Sequence, residues 1–385
     1  MISNHLRQYN SQVRLRLSLF LSRLAGFLSQ KILRRSGETI QGKVLLTLYP
    51  NALATLSKNR TIVLVSGTNG KTSTTRGLAQ LISQLGTTVS NKTGSNLDRG
   101  SATMLMQSSQ YAVLEVDELY LPRLIAQTRP RAVLLLNLSR DQLHRMHEVQ
   151  KVADRWKRAV DAAPDTLFIG DSDDPFVAFA LSDAQKKIRV SFGGRRHSDG
   201  AVCPSCGIYL RWTGTNFACV CGLTNAYADE NREPGPAAYR NAELANIAGT
   251  ALGATPMTFD IKSFERAVEK NISGIPSSIR LVKNPASWSE ALATVKGNNI
   301  ILILNAREVD GIDTSWLWDV SFDALHGKKI IVCGERAHDI HYRLHVAGIE
   351  NTQEKSVSAA FAHFLPTDHV EVLAAYTAFT QLVSL

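Results

Sequence analysis

The chain of 385 residues carries a formal net charge of +9 at pH 7, and its length favours two domains plus an appendage over a single core. Its content of 44% hydrophobic and 20% charged residues is typical of a soluble globular protein, and no stretch approaches the roughly 20 consecutive apolar residues of a membrane-spanning helix. The excess of positive charge favours an anionic partner, such as a nucleotide, a nucleic acid, a phospholipid surface or an acidic substrate, without choosing among them.

The first 55 residues predict a basic, helical segment. In VRLRLSLFLSRLAGFLSQKILRR (13–35), Leu and Phe recur at helical spacing with Arg and Lys between them, which indicates an amphipathic helix. Such a helix either docks on the main domain or lies on an anionic membrane surface, and the pattern leaves both interpretations open. The segment lacks the small-residue cleavage site of a signal peptide, so we expect a cytoplasmic protein, with peripheral contact at the inner face of the cell membrane under the second interpretation.

Residues 56–275 predict a central α/β domain, and residues 276–385 a smaller C-terminal α/β domain. Short apolar runs alternate with helix-like segments, which indicates parallel-rich sheets covered on both faces. The predicted strands of the central domain are TIVLV (61–65), YAVLEV (111–116), AVLLLN (132–137) and TLFIG (166–170). Those of the C-terminal domain are NIILILN (299–305), KIIVCG (329–334) and HVEVLA (369–374), with SGIPSSIRLVKNP (273–285) as the linker.

The stretch SGTNGKTSTT after the first strand predicts a phosphate-binding loop. Glycines 67 and 70 let the backbone curl so that successive N–H groups point at phosphate oxygens, and the helix that follows adds its positive end. Lys71 can reach the outer phosphates, and the Thr72 hydroxyl can ligate Mg²⁺. A glycine turn without a ligand is the alternative. The predicted nucleotide-binding residues of the loop are Gly67, Thr68, Asn69, Gly70, Lys71, Thr72 and Ser73.

A phosphate-bound metal needs an acidic ligand, and VLEVDE supplies Glu115, Asp117 and Glu118 at the end of a strand. Ligands of open α/β sheets bind at the carboxyl edge, where these side chains are expected. Glu115 is the preferred Mg²⁺ ligand and, with Lys71, a predicted catalytic residue. The alternative is a solvated acidic strand end.

Four cysteines fall within one short segment, in an insertion predicted at about 196–228. Cys203, Cys206, Cys219 and Cys221 form two closely spaced pairs separated by a hairpin-length stretch, which suits tetrahedral Zn²⁺ bound by four thiolates. Four protein ligands leave no open position, so the ion is expected to be structural. The alternative is free or disulfide-linked cysteines. Cys333 ends a predicted buried strand and is expected to be inert.

Together SGTNGKTSTT, LEVDE, RPRAVLLLNLSRDQLHR and GDSDDP resemble the ATP-binding domain of the Mur ligases, which join amino acids in peptidoglycan precursors through acyl phosphates. The cysteine insertion and DGIDTSWLWDVSFDAL narrow the resemblance to the MurT family, the ligase-like subunits of lipid II isoglutaminyl synthase. The resemblance implies a Mur ligase-like P-loop domain, ATP and Mg²⁺, and a GatD-type glutaminase as heterodimer partner. The implied reaction amidates the D-glutamate α-carboxylate of the lipid II stem peptide to D-isoglutamine.

The resemblance also assigns nucleotide contacts beyond the loop. GDSDDP is similar to the family's N-A-D-D-P, with Asp171 in place of Asn, and implies that Asp174 lies near the ribose or adenine; ordinary turn chemistry is the alternative. YRNAELANIAG is similar to the family's adenine-contacting H-N-x-x-N helix, so Asn241 is a predicted ATP contact, although Leu244 replaces the second Asn.

In the C-terminal domain, the resemblance assigns Asp313 of DTSW to catalysis across the subunit interface, where it would orient the histidine of the glutaminase Cys–His pair. A helix N-cap is the alternative for this residue. Arg307 departs from the family's N-D-N segment, which appears here as N-A-R. Trp316 and Trp318 are interpreted as core or interface anchors.

Two rival functions remain open on sequence grounds. One is another Mur-type amino acid ligase, similar to folylpolyglutamate synthetases, which would turn over a free amino acid without a partner chain. The other is a nucleotide-binding scaffold without turnover. For the favoured function, the chain shows no Cys–His glutaminase pair of its own, so ammonia must come from a separate subunit; lipid II is then the substrate, and no nucleic acid is expected.

Overall fold

The computed structural model describes residues 2–33, 38–91, 96–141, 149–194, 196–197, 199–265 and 267–384. They form two compact units, residues 1–138 with 150–264 and residues 139–149 with 265–385. The division falls at 264/265 rather than at the predicted 275/276, because residues 267–272 pair with the strand that follows them. The N-terminal helices belong to the first unit.

The first unit alternates helices and strands after three N-terminal helices. The helices are α1 (Ile2–Leu33), α2 (Glu38–Leu48), α3 (Ala52–Leu56), α4 (Lys71–Ile82), α5 (Asp98–Leu105), α6 (Leu121–Thr128), α7 (Val149–Asp161), α8 (Pro175–Leu181) and α9 (Ala237–Ala251). The strands are β1 (Thr61–Ser66), β2 (Thr88–Ser90), β3 (Tyr111–Val116), β4 (Ala132–Leu135), β5 (Leu167–Asp171), β6 (Lys187–Ser191), β7 (Arg211–Thr213), β8 (Asn216–Ala218) and β9 (Glu230–Asn231).

The main sheet of this unit has the order β2-β3-β1-β4-β5-β6-β9, and its described strand pairs are parallel. The central strands β1, β3 and β4 are buried almost end to end, because helices cover both faces. This confirms the predicted α/β class. The first connection from β1 runs to one side of the sheet, whereas β4 lies on the other side of β1. The carboxyl ends of β1 and β4 therefore flank the switch point at which open α/β sheets bind ligands.

Of the N-terminal helices, α1 packs on α2, and α2 in turn packs on α5. No helix in the described part of the chain is long and apolar enough to span a bilayer.

The second unit contains a six-stranded sheet of order β10-β11-β15-β12-β13-β14. Its strands are β10 (Ala267–Ile272), β11 (Ile275–Leu281), β12 (Asn299–Ile303), β13 (Lys329–Cys333), β14 (Thr352–Gln353) and β15 (Val370–Ala374). Its helices are α10 (Pro285–Thr294), α11 (Ala337–Val346), α12 (Val357–Phe361) and α13 (Tyr376–Ser384).

The predicted linker at 273–285 is wrong, because most of it is strand β11. Ser273 and Gly274 adopt positive φ values of 53° and 85° and form the two-residue turn of the β10–β11 hairpin. Beyond the hairpin, β11 pairs in parallel with β15, so this segment builds the sheet instead of leading into it.

Candidate functional site

The loop between β1 and α4 is shaped by two glycines with positive φ. Gly67 has φ 150°, and a Cβ there would lie 3.0 Å from the carbonyl oxygen of Asn137. Gly70 has φ 84°, precedes α4 as its N-cap, and would place a Cβ 2.1 Å from Nδ2 of Asn241. Neither position accommodates a side chain, so the loop is packed tightly against the segments after β4 and at the start of α9.

Asn137, just beyond β4, holds the loop through both ends of its amide. Its Oδ1 accepts a hydrogen bond from the Asn69 N–H at 2.9 Å, and its Nδ2 donates to the Asn69 carbonyl at 3.0 Å. The Thr68 N–H donates to the Asn137 carbonyl at 2.9 Å. Strands β1 and β4 are neighbours, so the loop is fixed across the switch point.

Lys71, the first residue of α4, is buried and held from three sides. Its Nζ lies 2.9 Å from Oε2 of Glu118 and donates to the carbonyls of Gly67 and Thr68. Glu118 is buried as well, and its carbonyl accepts the indole N–H of Trp156 at 2.9 Å. The cation is therefore positioned by a buried carboxylate and by the loop itself.

Glu115 lies on β3 next to the loop strand, paired in register with Val65. Its backbone is clamped by Asn91, which accepts the Glu115 N–H at 2.7 Å and donates to the Glu115 carbonyl at 2.8 Å. The carboxylate is buried at the carboxyl edge of the sheet. This is the environment predicted for a metal ligand, and carboxylate and hydroxyl oxygens are the ligand types that Mg²⁺ prefers.

The remaining loop residues and Asn241 also lie at this edge. Thr72 and Ser73 are half-buried in the first turn of α4, and the Ser73 hydroxyl donates to the Gly70 carbonyl at 3.1 Å. Asn241 is buried beside Gly70. The structure thus brings the loop, Lys71, Glu115 and Asn241 to one edge of the sheet, and their contacts with a nucleotide stay predictions.

Asp174 has a different role from the predicted nucleotide contact. It is the N-cap of α8, and its carboxylate accepts N–H groups of Phe176, Val177 and Leu138. Its Oδ2 also lies 3.1 Å from Nε2 of His197, and the residue is 0% exposed. With both oxygens engaged and no exposed surface, the side chain has no room for a ribose or a base, and the turn-chemistry alternative explains GDSDDP.

The four clustered cysteines converge on one point. Their Sγ atoms all lie within 4.8 Å of one another, with 3.6 Å between Cys203 and Cys221 and 3.4 Å between Cys206 and Cys219. A disulfide needs about 2.05 Å, whereas four thiolates around Zn²⁺ at about 2.3 Å stand roughly 3.8 Å apart. The spacing suits a tetrahedral metal site at the end of the β7–β8 hairpin.

Local structure shifts the pKa values of two thiols in the cysteine cluster in opposite directions. Burial raises the pKa of the Cys203 thiol to about 12, whereas the backbone N–H of Leu223 lowers the pKa of Cys221 to about 6. Gly207 and Gly222 follow the two pairs with φ values of 75° and 95°, which the tight turns require. A cation bound by all four sulfurs must displace the Cys203 proton.

Residues 65–247 match the family model of the Mur ligase middle domain, and residues 281–379 match that of the MurT ligase C-terminal domain. Both matched models therefore describe Mur ligase domains, and together they cover most of the chain. Subunit MurT of lipid II isoglutaminyl synthase (glutamine-hydrolyzing) from Streptococcus pneumoniae is 27% identical over 94% of this chain and 95% of its own length. The Staphylococcus aureus protein of the same name is 26% identical over 86% and 88%.

A solved Mur ligase shares the fold of this chain. MurF ligase from Thermotoga maritima, in complex with ADP, superposes with a TM-score of 0.62 at 14% identity and covers 89% of this chain and 83% of its own. The predicted Mur ligase fold is therefore confirmed.

Three residues that depart from the Mur ligase sequence pattern each fit their surroundings in this structure. The carboxylate at Asp171 lies 3.9 Å from Nη1 of the buried Arg240, so its negative charge has a cation nearby. Leu244 is fully buried in the apolar core between α9 and the sheet. Arg307 pairs with Glu335 at 2.6 Å on the surface of the second unit, and this pairing raises the Arg307 pKa.

The MurT-type segment around Asp313 is exposed in the second unit. Asp313 Oδ1 accepts the Ser315 N–H at 2.8 Å in a turn just before the short 3₁₀ helix Ser315–Asp319, whose N-cap is Thr314. Trp316 is buried against Trp288, with ring centroids 6.2 Å apart, and is a core residue. Trp318 is exposed and packs on Tyr342 at 6.3 Å.

The sequence offers Glu118 only as one of three acidic candidates and gives Asn137 no specific role, although both stand in matched motifs. Asn137 follows the apolar run of β4, and Glu118 follows β3 by two residues. Both residues could have been identified because they follow strands whose carboxyl ends reach the same edge of the sheet. The sequence does not reveal which of the carboxylates of Glu115, Asp117 and Glu118 pairs with Lys71, because this depends on the conformation of the turn after β3.

Proposed function

We propose that this chain is the ATP-dependent synthetase subunit of a lipid II isoglutaminyl synthase. Its reaction is amidation of the D-glutamate α-carboxylate in the lipid II stem peptide to D-isoglutamine. The observation that carries the proposal is the glycine loop with Lys71 buried against Glu118, in a chain whose relatives at 26–27% identity are named as subunits of that enzyme.

A carboxylate and ammonia need activation before they form an amide. A carboxylate oxygen attacks the terminal phosphorus of ATP, ADP leaves, and an acyl phosphate results; ammonia then attacks the acyl carbon and phosphate leaves. The loop N–H groups and Lys71 stabilise negative charge on the transferring phosphoryl group. Asn137 keeps the loop amides in place, and Glu118 fixes the ammonium before the nucleotide binds.

Thr72 and Glu115 are the residues that would hold Mg²⁺, because a half-buried hydroxyl and a buried carboxylate lie at the same sheet edge as the loop. The ion would neutralise phosphate charge when bound.

The ammonia source is a separate GatD-type glutaminase subunit in our proposal. The surface around Asp313 supports a protein partner, because Val309, Ile312 and Trp318 are all more than half exposed along the same segment. Asp313 would orient and stabilise the protonated histidine of the glutaminase. Asp313→Ala should then abolish amidation driven by glutamine while sparing the reaction with added ammonium. Loss of both reactions would contradict this role.

We propose structural Zn²⁺ at the cysteine cluster. The close approach of four sulfurs, one of them buried, supports it. Metal analysis of purified protein should give one zinc per chain, and Cys206→Ser should lower it. Because the substrate is lipid-linked, we also propose that the protein works in the cytoplasm at the inner face of the cell membrane.

The deciding experiment is co-expression with a candidate glutaminase, followed by mass spectrometry of lipid II. Replacement of OH by NH₂ in the stem peptide is the expected result, and Lys71→Ala should abolish it. Turnover with a free amino acid and no partner would instead favour a folylpolyglutamate synthetase-like ligase. Nucleotide binding without phosphate release in the presence of lipid II would favour a non-catalytic scaffold.

A further inference from the structure

Helix α1 packs on its own unit through small residues. Ser18, Ser22 and Ser29 are 3%, 0% and 4% exposed. A Cβ on Gly26 would lie 2.1 Å from Nε2 of Gln41, so the glycine leaves room for this side chain of α2 to pack against α1. These positions recur at three- to four-residue intervals and form one side of the helix. The side that faces the protein is therefore built mainly of serine and glycine, with the half-buried Leu15 and Leu19 beside them; we call it the serine stripe.

The opposite side of α1 exposes large apolar residues. At about 100° per residue, the exposed positions cover about 120° of the helix and face away from the serine stripe. A helix that only packs on a core would bury these residues and expose the serines. The side chains, 37% to 63% exposed, are those of Leu17, Phe20, Leu21, Leu24, Phe27 and Leu28; we call them the apolar stripe.

The charge of α1 has one sign. The helix contains five Lys or Arg and no Asp or Glu. On the helical circumference, Arg14 lies at one border of the apolar stripe, Arg16 and Arg23 lie at the other, and Lys31 follows its end. This arrangement of an apolar centre with cationic borders complements a surface that is anionic outside and apolar beneath.

We propose that α1 docks the protein on an anionic phospholipid surface, with the apolar stripe inserted at the headgroup boundary. The stripe from Leu17 to Leu28 is about 18 Å long at 1.5 Å per residue, and α1 is not apolar enough to span a bilayer, so it lies in the plane of the surface. A nucleic acid would not take up six large apolar side chains. A second copy of the stripe would bring two cationic helices together without an acidic residue on either. The inference does not depend on the chemistry proposed above.

Sedimentation of the full chain with lipid vesicles tests the inference. We expect binding to vesicles of equal parts phosphatidylglycerol and phosphatidylcholine, and much weaker binding to phosphatidylcholine alone. Substituting Leu17→Ser, Phe20→Ser and Leu24→Ser together should reduce partition onto anionic vesicles by at least about tenfold. As a matched control, Val309→Ser with Val346→Ser removes similarly exposed apolar groups from the second unit and should leave vesicle binding unchanged.

A second variant keeps the test independent of the apolar substitutions. Arg16→Glu with Lys31→Glu changes two exposed cations and should weaken binding most at low salt. Thermal unfolding without vesicles should match the unsubstituted chain for both variants, because none of the changed residues is buried.

Several outcomes would overturn the inference. They are failure of the unsubstituted chain to bind anionic vesicles, unchanged binding by the triple variant, and a triple variant that only converts a dimer into a monomer. Amidation of detergent-solubilised lipid II should survive the triple substitution. Lys71→Ala should instead lose amidation while still binding vesicles. The two variants together therefore distinguish a failure of the proposed function from a failure of the docking surface.

Discussion

Asn137→Ala is the sharpest perturbation of the phosphate loop that leaves its sequence intact. The change removes the two hydrogen bonds between the Asn137 amide and the backbone of Asn69. Each such bond contributes about 1 kcal/mol net, so ordering the loop in the variant costs about 2 kcal/mol more. Nucleotide binding must supply that free energy, and Kd for ATP should rise about 30-fold. Isothermal titration of the purified chain with Mg·ATP measures the change.

The chain offers a matched control in the same unit. Asn246 also makes two side chain–backbone hydrogen bonds, both with Met257, at 3.0 and 3.1 Å. Asn246→Ala should lower the free energy of unfolding by a similar amount but leave ATP affinity unchanged, because Met257 lies outside the loop. Equal ATP affinities for Asn137→Ala and the unsubstituted chain would refute the clamp. So would an equal loss of affinity in both variants.

Three further predictions concern buried groups. Glu118→Gln should lower the free energy of unfolding by about 3 kcal/mol in denaturant titrations, because it leaves the Lys71 ammonium buried without a carboxylate partner; Glu335→Gln, in a surface pair, should leave it unchanged. Chelator treatment should lower the thermal midpoint of the unsubstituted chain more than that of Cys206→Ser, and equal shifts would count against a structural metal. Burial raises the pKa of Cys333 to about 12, so a thiol reagent at pH 8 should modify it only after unfolding; rapid modification of the folded chain would contradict its inert role.

Patterns that are local in sequence allowed much of the site to be predicted. The order strand, glycine loop, lysine, hydroxyl and helix predicts a phosphate loop at residues 67–73, and the spacing of the four cysteines predicted that their sulfurs lie close together. Near-continuous apolar runs located β1, β3, β4 and β5, because strands buried on both faces leave little alternation to misread.

Polar residues whose partners are distant in sequence could not be assigned in this way. Asp174 is in a motif that looks like a nucleotide contact, yet its carboxylate is taken by backbone groups of Leu138 and α8 and by His197. The segment 273–285 has the composition of a linker, but the parallel partner β15 makes part of it a strand. Such hydrogen bonds join residues that are tens of positions apart in the sequence, so local composition cannot predict them.

The amino-acid sequence by itself determined which reactive groups this protein carries: a glycine loop with a lysine, carboxylates at a strand end, four clustered thiols and a helix with only positive charge. Only the tertiary structure decided which of these groups face one another and which face outward. In the folded chain Lys71 pairs with Glu118, and Asp174 caps α8. The serine side of α1 is buried, whereas Leu17, Phe20 and their neighbours on the opposite side are exposed. The reason is that short-range periodicity fixes which residues share a face, whereas the packing of distant segments selects the face that is buried.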